Sequence, residues 1–225
     1  MTDAAPVPVA VPVLVFAKAP DPGAVKTRLV PALGVGGAAV LAARFARRTL
    51  DTATRAAVGP VLLMCAPDTV HPFFDVCRQR HAIRLAPQGD GDLGERMHRA
   101  FSMILAESAA AILVGTDTPD LHADDLSEAA HALQDGADVV LGPAEDGGYW
   151  LIGLRSPVRA LFEAVPWSTD SVLRITRERI AALGLRLHEL AVRADIDRPE
   201  DLALLLARDD LAPIAADLVA RRPAP

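Results

Sequence analysis

The stretch Val11–Leu29, VPVLVFAKAPDPGAVKTRL, decides the fold that we predict for this chain. It begins with a run of apolar, largely β-branched residues that ends at Ala17, and such a run is typical of a buried strand. A turn rich in proline and glycine follows and leads into a basic segment. Similar apolar runs recur downstream between segments with helical periodicity, so the sequence predicts an α/β fold.

Strands and helices alternate along the whole sequence. We expect strands at residues 11–17, 61–65, 83–86, 110–115, 137–141, 149–153 and 186–190. We expect helices at residues 34–55, 69–80, 92–108, 124–134, 157–164, 169–183 and 199–220. This alternation predicts a mostly parallel sheet with helices on both faces. The close pair of strands at 137–153 favours a hairpin that adds an antiparallel strand to the sheet.

Length and composition indicate one globular domain. The chain has 225 residues, of which 51% are hydrophobic and 23% are charged, and this is enough for a full core. We therefore predict a single domain over residues 11–225, preceded by a flexible leader at residues 1–10. The net charge of −6 argues against a nucleic-acid partner, because such proteins usually present a basic face.

The sequence also predicts where the protein works. No lysine or arginine precedes Lys18, so the N-terminus lacks the basic start of a signal peptide. No run approaches the roughly 20 apolar residues that a membrane span needs. Cys65 and Cys77 are too few for a disulfide framework and have no metal-ligand spacing. We expect a soluble, cytoplasmic protein without a membrane partner.

Positive charge concentrates in the loop after the first strand, although the chain as a whole is acidic. Three cations there can neutralise an anion, and backbone N–H groups around the turn can face it. The spacing Gly23-x-x-Lys26-Thr27 is too short for a Walker motif. We predict that this loop binds the phosphates of a nucleotide, and a solvated loop with surface lysines is the alternative. The predicted residues are Lys18, Pro22, Gly23, Lys26, Thr27 and Arg28.

Two acidic motifs lie where ligands bind in parallel sheets. Asp117 comes directly after the strand predicted at 110–115, at its carboxyl end. Asp195 and Asp197 are two residues apart, so an extended segment presents both on one face. We predict that Asp117 and Asp197 hold Mg²⁺ or Mn²⁺, because these cations prefer carboxylate oxygens. Helix capping is the alternative for both motifs.

Two further stretches carry candidate substrate contacts. In QGDGDLGERM at 88–97, Gln88 offers a donor and an acceptor to a base edge, and a capping box is the alternative for the turn. In LGPAEDGGYWLIGL at 141–154, the glycines and aromatic residues suit the wall of an acceptor pocket, and a hairpin turn is the alternative. We predict nucleotide binding by Gln88 and Gly94. We predict acceptor binding by Glu145, Asp146, Gly148, Tyr149 and Trp167, with core packing as the alternative for Trp167.

Five motifs in order resemble the domain-of-unknown-function 2064 family, also called radical-SAM/selenodomain-associated transferase 1. They are KAPDPGAVKTRL at 18–29, GDLGERM at 91–97, GTDTPDL at 115–121, EDGGYW at 145–150 and PWST at 166–169. The resemblance runs from about residue 11 to residue 205. It implies a three-layer α/β/α, glycosyltransferase-A-like (Rossmann-like) fold with a mostly parallel mixed sheet, in the nucleotide-diphospho-sugar transferase superfamily.

The segments KTRL at 26–29 and DIDRPED at 195–201 also resemble 2-phospholactate guanylyltransferases. In those relatives the basic loop holds a triphosphate, and the carboxylates that match Asp117 and Asp197 hold the divalent metal. Their second motif more often reads Asp-Thr-Pro-Glu-Asp, so Arg198 departs from the pattern and its role stays open.

These features favour a metal-dependent transferase with a nucleotide donor and a small acceptor. In one hypothesis an NTP donates its nucleotidyl group and releases pyrophosphate. In another an NDP-sugar donates its sugar, and Asp146 or Glu145 serves as base or acceptor contact. We expect Lys26, Asp117 and Asp146 to be catalytic, with Mg²⁺ or Mn²⁺ as cofactor. The third hypothesis is a non-catalytic nucleotide-binding regulatory module, and the acidic residues at both metal positions count against it.

Overall fold

Strand β1 (Val13–Lys18) lies inside the sheet of the computed structural model, which describes residues 10–207 and residue 211. Its first five residues are buried, as the apolar run predicts, and Lys18 at its carboxyl end is exposed. It pairs in parallel with β2 (Val61–Ala66) on one side and with β4 (Ala111–Val114) on the other. The basic loop therefore begins at the edge where the carboxyl ends of three parallel strands meet.

The other elements alternate as the sequence predicts. The remaining strands are β3 (Arg84–Pro87), β5 (Val139–Pro143), β6 (Tyr149–Leu154) and β7 (Leu187–Glu189). The helices are α1 (Val30–Ala56), α2 (Pro72–His81), α3 (Leu93–Ile104), α4 (Ala123–Gln134), α5 (Val172–Ala182) and α6 (Leu202–Leu206). Short 3₁₀ helices span Thr27–Leu29, Arg159–Leu161 and Pro199–Asp201.

The sheet has the strand order β3-β2-β1-β4-β6-β5-β7. Strand β6 runs antiparallel to both of its neighbours, β4 and β5, whereas the other neighbouring pairs are parallel. The mostly parallel mixed sheet and the hairpin predicted at 137–153 are both confirmed.

Helices cover both faces of this sheet. Successive residues of β1 alternate between two hydrophobic clusters, so Val13 and Val15 pack on one face while Leu14 and Phe16 pack on the other. The first cluster contains residues of α1, α2 and α4, and the second contains residues of α3 and α5. This arrangement confirms the three-layer α/β/α fold.

Two helices differ from the prediction. Helix α1 begins at Val30, and Gly34 inside it has non-helical dihedrals (φ 69°, ψ 167°), a kink that glycine tolerates and that periodicity does not reveal. The helix predicted at 157–164 is only the 3₁₀ turn at Arg159–Leu161, and the left-handed backbone of Ala164 (φ 48°) ends the segment. The predicted leader at 1–10 and much of the helix predicted at 199–220 lie outside the described residues.

One helix among the described residues, Thr27–Ala56, is long and apolar enough to cross a membrane by length and composition alone. We expected no uninterrupted apolar run of that length, and Arg44, Arg47 and Arg48 do interrupt this helix, although its mean hydropathy still qualifies it. Core helices of soluble proteins satisfy the same criterion, and here Leu41, Phe45 and Leu50 are buried within the fold. That the protein has no membrane partner stays a prediction.

Candidate functional site

The carboxyl ends of β1 and β4 border a cavity of about 490 Å³. The strand order reverses between these two strands, and open α/β sheets bind ligands at such a point. The lining includes Lys18, Lys26, Gln88, Asp117, Asp195 and Asp197. The structure thus brings residues of the basic loop and both acidic motifs to one place.

Lys26 joins the basic loop to the acidic motifs. Its backbone is left-handed (φ 47°), and only 4% of its side chain is exposed. Its Nζ lies 2.6 Å from Asp117 Oδ1, donates to the Ile196 carbonyl and lies 5.4 Å from the centre of the Phe45 ring. In the described structure the ammonium contacts a carboxylate, so its contact with phosphate stays a prediction.

A backbone hydrogen bond holds the two acidic motifs side by side. The Ile196 N–H donates to the Asp117 carbonyl over 3.0 Å. The residues on either side of Ile196, Asp195 and Asp197, line the same cavity as Asp117. Arg28 Nη1 in turn lies 2.7 Å from Asp197 Oδ2. The metal hypothesis needs these carboxylates on one side of the molecule, and the structure places them there.

The other residues of the basic loop that we predict to bind phosphate are exposed. Lys18 Nζ donates to the Ala24 carbonyl over 2.9 Å, which directs its side chain across the turn. A lysine has three N–H donors, so two remain for an anion. Gly23 has a φ of 83°, which glycine adopts without strain, and Pro22 and Thr27 are exposed on either side. The loop can therefore face a ligand without losing buried contacts.

Asp195 is a cavity residue whose importance the sequence pattern did not reveal. Its Oδ1 accepts a hydrogen bond from Thr118 Oγ1. Burial raises the pKa of the Asp195 carboxyl to about 6, with a further rise from the charge of Asp117, whereas the hydrogen bond from Thr118 and the charge of Lys26 lower it. The spacing of Asp195 and Asp197 is the sequence signal that marks this residue. It cannot show that the Asp195 carboxyl is buried, because burial depends on contacts made across the fold.

We expect Asp195 to lower stability as the pH rises. Its pKa is about 6 in the fold against an ordinary value of 3.8, so the folded state holds this proton more tightly. The favourable contribution is complete below about pH 4 and is lost as the pH rises through about 6. Denaturant unfolding in chelator should show the wild type losing up to about 3 kcal/mol relative to Asp195→Asn across this range. If the difference in unfolding free energy between the wild type and Asp195→Asn does not change with pH, the raised pKa of Asp195 is contradicted.

Gln88 lies at the carboxyl ends of β1 and β2, and only 6% of it is exposed. Its Nε2 donates to the Ala17 carbonyl over 3.2 Å and to the Met64 carbonyl over 2.8 Å. Both partners can only accept, which fixes the orientation of the amide. The sequence predicts that Gln88 offers both a donor and an acceptor to a base edge. In the structure both N–H donors are used, so only the acceptor Oε1 remains for a ligand.

Gly94 and Trp167 contact each other outside the lining of this cavity. A Cβ at Gly94 would meet the Trp167 ring and the Phe162 carbonyl, so glycine permits close packing at the start of α3. Trp167 also packs edge-on against Tyr149 at 6.5 Å between ring centres. Tyr149 lines the cavity, and burial raises the pKa of its hydroxyl. This geometry favours a packing role for Gly94 and Trp167 over a ligand contact.

A second cavity of about 430 Å³ adjoins the first and shares Asp195 and Asp197 with it. Glu145 and Asp146 line this second cavity. Asp146 Oδ1 also accepts a hydrogen bond from the Gly148 N–H over 2.9 Å, as expected for a turn. The segment therefore forms the predicted hairpin turn and at the same time borders this second cavity.

Arg193 supports the acidic motif, although no sequence motif marks it. Its guanidinium lies 2.9 Å from Asp120 Oδ2 and 2.6 Å from Asp125 Oδ1, and it covers the Trp150 ring at 5.6 Å. These contacts anchor the chain two residues before Asp195. The carboxylate partners lie 73 and 68 residues away in the sequence, so local patterns could not find them.

The carboxylates of the first cavity suit a divalent cation that is held jointly with phosphate. Within residues 10–207, no group of three or more His, Cys, Asp or Glu side chains could hold a metal by itself. Mg²⁺, however, usually takes one or two carboxylates together with substrate phosphates. Asp117, 57% exposed, and Asp197 offer such oxygens, and a cation bound there would compete for them with the side chains of Lys26 and Arg28.

Several solved structures that share this fold are named as transferases or nucleotide-sugar enzymes. A protein from Desulfovibrio desulfuricans G20, provisionally named a nucleotide-diphospho-sugar transferase, matches with a TM-score of 0.80 and 28% identity, over 93% of this chain and 95% of that one. Inositol-1-phosphate CTP transferase from T. maritima matches with a TM-score of 0.58 and 12% identity, over 96% and 99% of the two chains. Glucosyl-3-phosphoglycerate synthase from Mycobacterium tuberculosis, solved with Mn²⁺ and UDP, matches with a TM-score of 0.53 and 11% identity, over 95% of this chain and 78% of that one. The chain therefore has the glycosyltransferase-A-like fold of nucleotide-diphospho-sugar transferases and nucleotidyltransferases.

The family follows from the sequence itself. The model of the family described as "uncharacterized protein conserved in bacteria (DUF2064)" matches residues 49–169, which is more than half of the chain. The protein belongs to this family. The match includes Asp117 and Asp146, whereas the basic loop and the motif at 195–201 lie outside it. No curated protein matches the chain.

Proposed function

We propose that this protein is a metal-dependent transferase that moves a sugar from an NDP-sugar to a small acceptor. The observation that carries the proposal is that Lys26, Asp117 and the segment 195–197 border one cavity at the ends of β1 and β4. A polyphosphate needs this combination of cations and metal-binding carboxylates. The similarity to the D. desulfuricans protein supports a sugar donor.

The charge balance of the cavity favours a diphosphate over a triphosphate. Lys26 is already paired with Asp117, and Arg28 with Asp197. Two of the three loop cations that pointed to a triphosphate are thus largely neutralised. Lys18 keeps donors for an anion, and Arg96 also lines the cavity. This remaining charge suits the smaller charge of an NDP-sugar.

The chain's own residues would divide the work between the two cavities. Asp117 and Asp197 would hold Mg²⁺ or Mn²⁺, which when bound neutralises negative charge on a departing diphosphate. Lys18 would bind the same diphosphate electrostatically. Asp146 borders the adjoining cavity, where it would accept the proton of the attacking hydroxyl as a general base. Tyr149 and Trp150 would form a wall of the first cavity, which would hold the donor and is called the donor cavity below.

The adjoining cavity also bears on the acceptor. Its lining has six carboxylates and two arginines: Glu145, Asp146, Asp170, Asp195, Asp197 and Asp201 with Arg28 and Arg198. An excess of negative charge repels phosphorylated or carboxylated molecules. We therefore expect a neutral polyhydroxyl acceptor or a cationic one.

A product assay tests the proposal directly. The protein is incubated with Mg²⁺ or Mn²⁺, a set of NDP-sugars or NTPs, and acceptors that are neutral, cationic or phosphorylated. We expect metal-dependent release of NDP, stopped by chelator, with the fastest rate for an uncharged or cationic acceptor. Release of pyrophosphate from an NTP would instead establish nucleotidyl transfer. Nucleotide binding without turnover of any donor would favour a non-catalytic module.

A further inference from the structure

Arg193 lines neither the donor cavity nor the adjoining one, yet its side chain is tied to the chain segment that follows Asp117. Its side chain is 14% exposed, and its guanidinium contacts two carboxylates at once: Nη1 lies 2.9 Å from Asp120 Oδ2, and Nη2 lies 2.6 Å from Asp125 Oδ1. Asp125 is buried in the first turn of α4, where its Oδ2 accepts from the His122 N–H over 2.7 Å. Because both nitrogens of the planar fork are used, the orientation of the guanidinium is fixed.

The backbone of Arg193 is tied to the opposite side of the site. Its N–H donates to the Pro143 carbonyl over 3.0 Å, and its carbonyl accepts from the Glu145 N–H over 3.0 Å. These bonds form a parallel bridge to Ala144 and attach Arg193 to the hairpin turn that borders the second cavity. One residue thus connects this turn, helix α4 and the acidic segment 195–197.

The position of Asp197 relative to Asp117 depends on how the two segments that carry them are held together. The Ile196 N–H donates to the Asp117 carbonyl over 3.0 Å. The ion pair between Arg193 and Asp120 joins the same two segments at a second place, four residues before Asp197 and three residues after Asp117. Two attachments restrict a rotation of one segment against the other that either attachment alone would permit. Ligands that are held in advance bind more tightly, because binding then orders less of the chain.

We infer that Arg193 is a positioning residue of the metal site, whose guanidinium sets the spacing of Asp117 and Asp197 and thereby the affinity for a divalent cation. The inference rests on the proposed function, because it concerns the same two carboxylates. Arg193 acts through the carboxylates that it aligns, since its own side chain reaches neither cavity. Loss of a residue that orients metal ligands typically lowers metal affinity by about 10- to 100-fold.

A thermodynamic cycle separates this role from a general effect on stability. The affinity for Mn²⁺ alone is measured by electron paramagnetic resonance of the free ion, which also reports weak binding. Lysine keeps the charge but cannot contact two carboxylates as a fork, so Arg193→Lys should bind Mn²⁺ about tenfold more weakly than the wild type. In the Asp197→Asn background the same substitution should change the affinity by about twofold or less, because the carboxylate through which Arg193 acts is gone.

A second variant removes the guanidinium without leaving a buried charge unpaired. Arg193→Met/Asp125→Asn replaces a charged pair with two neutral side chains, a change that often costs little stability. Its melting temperature should stay near that of the wild type, and its affinity for Mn²⁺ should fall by about tenfold or more. Arg186→Met is the matched control, because Arg186 is exposed, pairs with Asp138 and lines neither cavity. It should bind Mn²⁺ as the wild type does.

The outcomes separate the inference from the proposed function. Wild-type affinity for Mn²⁺ in Arg193→Lys would overturn the positioning role and leave the metal site intact, and so would wild-type affinity in folded Arg193→Met/Asp125→Asn. Equal losses from Arg193→Lys with and without the Asp197 carboxylate would show that the substitution acts on the fold in general, and would overturn the role as well. Failure of the wild type to bind Mn²⁺ would overturn the metal dependence of the proposed function, and the role of Arg193 with it.

Discussion

Asp117→Asn is expected to lower metal-dependent turnover by about 10³-fold, or about 4 kcal/mol in activation free energy. Asparagine keeps the shape of the side chain but lacks the negative charge that holds a divalent cation. The carboxylate is 57% exposed at the end of β4, and asparagine keeps an oxygen that can accept from Lys26 Nζ, so the variant should still fold. Initial rates at saturating donor across a titration of Mg²⁺ measure the loss, which excess metal should relieve only in part.

Asp124→Asn is the matched control for this variant. Asp124 is exposed in the first turn of α4 and lines neither of the two cavities. Its substitution removes the same charge and should leave turnover at the wild-type level. Circular dichroism should show the native fold for both variants. Wild-type turnover in Asp117→Asn would remove Asp117 from the metal site.

The sheet was predictable because its strands are apolar runs. Strands β1, β2 and β4 have helices over both faces, so their sequences are apolar almost without interruption. The order of the strands was not predictable in the same way. The position of β6 between β4 and β5 depends on pairings between distant segments, and no single segment encodes them.

The candidate site was predictable where polar residues follow strands. Asp117 comes directly after β4, and the basic loop begins at the end of β1, so both had to lie at one edge of the sheet. What the sequence could not reveal is which of these groups touch. Lys26 meets the Ile196 carbonyl 170 residues away, and Gln88 is oriented by a carbonyl 71 residues away. The pKa of Asp195 likewise depends on burial that only the folded chain creates.

Lys26→Met is expected to change metal binding and nucleotide binding in opposite directions. A metal held by Asp117 would compete with the Lys26 ammonium for the same carboxylate, so removal of the ammonium should tighten the binding of Mn²⁺ alone. The nucleotide should bind about 10- to 100-fold more weakly, because the loop loses a charge and its hydrogen bond to the Ile196 carbonyl. Methionine retains an apolar contact with Phe45, which limits the loss of stability.

Lys18→Met distinguishes the loss of the Lys26–Asp117 ion pair from the loss of one positive charge in the cavity. It removes the same charge from the same cavity, but Lys18 donates to the Ala24 carbonyl and not to a carboxylate. It should weaken nucleotide binding and change the affinity for Mn²⁺ much less than Lys26→Met does. Calorimetric titrations of Mn²⁺, with and without nucleotide, compare the two variants with the wild type. Equal Mn²⁺ affinities in Lys26→Met and the wild type would mean that the metal does not use the carboxylate that Lys26 contacts.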